Sequence, residues 1–68
     1  MQREYDLTAV IHLLEGEKSA WAHTAEALEQ ITHQAVSEDV RLCLVDQVRQ
    51  CRGHSEAIRR TVARMSDQ

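Results

Sequence analysis

The chain has no proline and no phenylalanine, and its 68 residues include only two glycines, one tryptophan and one tyrosine. Without proline, nothing forces a kink or a stop inside a helix. With so few aromatic side chains, a sheet of several strands has little to build on. Gly16 and Gly53 stand alone, so no glycine-rich loop is present to cradle a phosphate. Two cysteines are too few for a disulfide scaffold. On one helix Cys43 and Cys51 would lie about 12 Å apart along the axis, beyond the span of a disulfide, so both are expected as reduced thiols suited to the cytoplasm. No apolar run approaches the roughly 20 residues that span a bilayer. Met1 to Asp6 lacks the apolar core of a secretory leader. These absences lead to the expectation of one all-α domain over residues 1–68, cytoplasmic and without membrane contact.

What is present is helical periodicity. Leu7, Ile11, Leu14, Lys18, Trp21, Ala25, Leu28, Thr32 and Ala35 alternate in steps of four and three. That is a heptad seam, with polar interruptions at Lys18 and Thr32. A second series runs through Leu44, Val48, Cys51, Ser55, Ile58, Val62 and Met65. The run from Val40 to Val45 is apolar nearly all round, but its neighbours keep the helical period, so it reads as helix. Asp6 or Thr8 can cap the first helix and Ser37 the second, with Glu38 and Asp39 at its positive end. The expected elements are a helix over about 6–36, a turn at about 37–39 and a helix over about 39–65.

Two seams of matching length fold as an antiparallel hairpin. With residue 37 at the apex, position i on the first helix lies level with 74 minus i on the second. Lys18 then falls beside Ser55 and Glu56, Glu15 beside Arg59, and Trp21 level with Gly53, where the largest side chain would meet the smallest. Each seam is still only half covered in a lone hairpin. Val10, Leu13, Ile31, Leu42, Cys43, Val45 and Met65 form a second apolar strip, read as the surface that pairs two hairpins into a homodimeric four-helix bundle. A different protein chain is the alternative occupant.

Charge is unevenly spread. Residues 1–36 carry a net −4, and residues 37–68, with all six of the later arginines, carry +1. The two halves can pair with each other, or the arginines can form a binding face. Arg41, Arg52 and Arg59 share one stripe of the second helix, spaced to meet phosphates. In size and heptad pattern the chain looks similar to small dimeric helical hairpins of the Rop type, which bind paired RNA loops. It lacks the basic and aromatic residues such hairpins show on the first helix, and it is acidic overall, so nucleic acid is the less favoured partner.

Two segments, Leu14-Glu15-Gly16-Glu17-Lys18-Ser19-Ala20-Trp21 and Val48-Arg49-Gln50-Cys51-Arg52-Gly53-His54, resemble the helical hairpins of the ferritin-like superfamily. Those families carry an inward glutamate on the first helix and Glu-x-x-His on the second. The resemblance implies that Glu17 matches the first glutamate and His54 the histidine. Cys51 stands where the second glutamate belongs, and without that carboxylate an iron-oxidising centre loses a ligand. Glu17, Cys51 and His54 are therefore the candidate metal ligands, and Glu17 with His54 as a hydrogen-bonded interface pair is the structural alternative. His12, His23 and His33 project away from the seam into solvent. No nucleophile–base set is discernible. The expected function is a non-catalytic helical interaction module, an adaptor, antiactivator or chaperone-like protein, with no cofactor.

Overall fold

The computed structural model describes residues 6–35 and 37–67. Helix α1 spans Leu7–Gln34 and α2 spans Glu38–Ser66, and the two pack against each other as a hairpin. Both caps come from short polar side chains. The Thr8 amide donates to Asp6 Oδ1 at 3.1 Å, which settles the first cap on Asp6, and the Val40 amide donates to Ser37 Oγ at 3.5 Å. Glu38 and Asp39 occupy the first turn of α2, next to its positive pole. The Ala35 amide closes α1 by donating to the Thr32 carbonyl at 3.2 Å. Helix α1 ends two residues before the expected limit at 36, and α2 begins one residue before the expected start at 39, so the break between them lies nearer the N-terminus than the expected turn at 37–39. Val36 lies outside the described residues.

The seams match the periodicity. Every seam position from Ile11 to Ala35, and from Leu44 to Met65, is buried or half-buried. Leu7 is the exception at 44% exposure, because its level on α2 falls at the helix end. The polar interruptions are accommodated within the hairpin. Thr32 Oγ1 donates to the Leu28 carbonyl at 2.7 Å, and Ser55 Oγ donates across the seam to the Lys18 carbonyl at 3.2 Å. The Lys18 ammonium reaches Glu15 at 3.9 Å, leaving its stem along the seam. The Ser55–Lys18 bond places the two helices in the register expected for an apex at residue 37.

Burial is shallow. Ala25 and Cys51 are the only buried residues among those described, at 0% and 5% exposure. The molecule measures 55 × 22 × 16 Å, with a radius of gyration of 16.1 Å. A compact domain of this length would have a radius near 11 Å. Two helices side by side have one line of contact and no interior.

Candidate functional site

Arg52 and His54 lie two residues apart on α2 and reach α1 from opposite sides of the seam. Arg52 pairs with Glu29. His54 stacks on Trp21, with ring centroids 4.6 Å apart and an interplanar angle of 28°. These two contacts define the flanks of the hairpin, and each carries a different kind of surface.

The flank on the Arg52 side is ionic with an apolar cleft near the turn. The cleft, about 410 Å³, is lined by Glu29, Thr32, His33, Ala35, Arg41, Val45 and Val48. Val45 is half-buried there, and Leu42, one turn earlier on the same side, is 53% exposed. Both were expected in one strip with Val10, Leu13, Ile31 and Cys43. They lie across the seam from it, because residues 42 and 45 follow the Arg52 side of α2 while 43 follows the His54 side. Met65 belongs to the seam itself and is half-buried. His33 is exposed, as expected, and borders the cleft.

The three arginines considered for phosphate binding each hold a carboxylate. Arg41 Nε donates to Glu38 at 3.1 Å and Arg59 Nε to Glu56 at 3.0 Å, each pair also joined through the second guanidinium nitrogen. Arg52 takes Glu29 across the hairpin. These hydrogen bonds, more than Coulomb attraction, hold the Glu38 and Glu56 carboxyls below their ordinary value and raise Arg41 and Arg59. Arg59 was expected beside Glu15. It turns instead to Glu56 in its own helix, where a partner three residues away needs no alignment between helices. Polyanion binding would have to displace these carboxylates.

The flank on the His54 side is apolar at its ends. Leu13 is 73% exposed and Ile31 52% exposed, Val10 is half-buried, and Cys43 and Val40 are exposed. Glu17 is also exposed, and no hydrogen bond joins it to His54, whose ring lies on Trp21 instead. Cys51 is buried in the seam while His54 and Glu17 are exposed, so the hairpin does not gather the three candidate ligands. Among the described residues, no three His, Cys, Asp or Glu side chains come within range of one metal ion. No family model, curated protein or solved structure matches this chain. The reading of its function therefore rests on these two flanks.

Gly53 does not meet Trp21. It is exposed, and a Cβ built on it would touch nothing within 4 Å. The register does bring it level with the indole, but residue 53 sits midway between the seam residues Cys51 and Ser55 and so points to the back of α2. The neighbour that the indole does find is His54. The 3.6-residue period distinguishes the two positions, since residue 54 lies about 100° closer to the seam than residue 53.

Proposed function

We propose that the chain is a small non-catalytic helical interaction module, acting as an adaptor, antiactivator or chaperone-like protein through a homodimeric four-helix bundle. The observation that carries this reading is the exposure of Leu13 and Ile31 on one flank of a hairpin that, among its described residues, buries only Ala25 and Cys51. Large aliphatic side chains left in water on a domain without an interior mark an interaction surface. The paired state of Arg41, Arg52 and Arg59 weighs against the RNA-binding alternative. The separation of Glu17 and His54 weighs against a metal-binding half-bundle.

Light scattering at micromolar concentration tests the reading. The expected mass is twice 7.8 kDa, and Leu13→Glu should return it towards the single-chain value. A parent protein of single-chain mass at every concentration would overturn the homodimer.

A further inference from the structure

The exposed flank of α1 is itself a second heptad series. From Val10 it runs through Leu13, Glu17, Ala20, Thr24 and Ala27 to Ile31, again in steps of three and four. All but the half-buried Val10 are exposed. The larger apolar residues stand at the two ends, and the middle from Ala20 to Ala27 is small. The same flank of α2 has Val40 and Cys43 near the turn but continues through Gln47, Gln50 and His54 to Arg64. An interface on this side therefore has α1 as its apolar centre and α2 as its polar rim.

Resting on the reading that the hairpin pairs with itself, we propose that α1 packs against α1 of a second copy, antiparallel, about a two-fold axis near the middle of the helix. Three observations bear on occupant and direction. The first is area. The chain exposes 5609 Å², whereas a compact monomer of its mass exposes about 4,400 Å². The difference, about 1,200 Å², is spread along the whole elongated hairpin, which therefore has surface to spare for the roughly 800 Å² that each partner buries in a stable complex.

The second observation is charge. In a parallel pair Glu17 would face its own copy, setting two carboxylates together in an interface with no cation opposite. In the antiparallel pair, with Leu13 of one copy level with Ile31 of the other, Glu17 falls level with Ala27 and about 15 Å along the axis from the Glu17 of the second copy, so the two carboxylates are kept apart. The third is shape. Reversal brings the Leu13 end of one helix to the Ile31 end of the other. It leaves the small residues at the axis, where close approach is needed.

The test uses two chains with one exposed cysteine each, Leu13→Cys and Ile31→Cys, both carrying Cys43→Ala to remove the exposed native thiol. Cys51 is buried and stays. Cysteine is a small hydrophobe, and both positions are exposed in the hairpin, so helicity by circular dichroism should be unchanged. A short bis-maleimide is added to each chain alone and to their mixture. The expected result is a covalent dimer in the mixture and little in either chain alone, because two copies of residue 31 would lie about 27 Å apart along the axis. Self-linking of Ile31→Cys, or no linking in a protein that still sizes as a dimer, would overturn this arrangement and leave the homodimer standing. A parent chain that sizes as a monomer would overturn both.

Discussion

A methyl group added at Gly53 would meet open space, and the same holds at Gly16. Both glycines sit inside helices, where alanine is favoured by about 1 kcal/mol. Gly16→Ala and Gly53→Ala should each add up to that much stability, read as a raised denaturant midpoint at an unchanged slope. A lowered midpoint for Gly53→Ala would show that something covers the back of α2. The carboxylates give a second test at this scale. Glu38 and Glu56 are held below the ordinary value of 4.5 by the Arg41 and Arg59 hydrogen bonds. A depressed folded pKa stabilises the fold above the ordinary value, and that contribution is lost as the pH falls through the folded value. The midpoint difference between the parent and a Glu38→Gln, Glu56→Gln variant should therefore be present at pH 7 and shrink below about pH 4.5. Both groups are exposed, so the difference is small at every pH. A difference that grew on acidification would contradict the assignment. The direction in which a side chain leaves the seam was the least legible feature at this scale. The level of Gly53 opposite Trp21 follows from the apex alone, but whether Gly53 or His54 turns towards the indole depends on a single residue step.

The helices themselves were largely legible, because the signals for them are redundant. A strict 4-3 spacing fixes which face is covered, and Asp6 and Ser37 fix where each helix begins. The polar residues do not break the seams: Thr32 and Ser55 donate to backbone carbonyls of α1, and the part-exposed Lys18 ammonium lies 3.9 Å from Glu15. Ser37 is the sharpest handle on α2, since its hydroxyl takes one of the otherwise unpartnered amides of the first turn. Ser37→Ala should cost about 0.5–1 kcal/mol, read from the same denaturant midpoint, whereas Ser37→Asp should retain the stability. Equal stability of Ser37→Ala and the parent would mean that water caps the helix as well as serine does. Flanks proved harder to read than seams. Leu42 and Val45 look continuous with Cys43 in the sequence, but three adjacent helical positions sweep past the seam. The apolar run from Val40 to Val45 accordingly divides between two sides.

The whole molecule is 55 Å long and 16 Å thin. Folding this chain alone orders two long helices and, among the described residues, buries only Ala25 and Cys51. Conformational entropy costs about 1–2 kcal/mol for each ordered backbone residue, so a hairpin with so little interior needs further apolar burial to be stable. Under the proposed homodimer, association is part of folding and takes place on the second apolar flank. Thermal unfolding across a hundredfold dilution tests this most directly. If two chains fold as one unit, the dilution costs about 2.7 kcal/mol of mass-action stabilisation and should lower the midpoint by on the order of 10 °C. A single sharp transition with an unchanged midpoint over the whole range would contradict it, since that is the behaviour of a chain that folds alone.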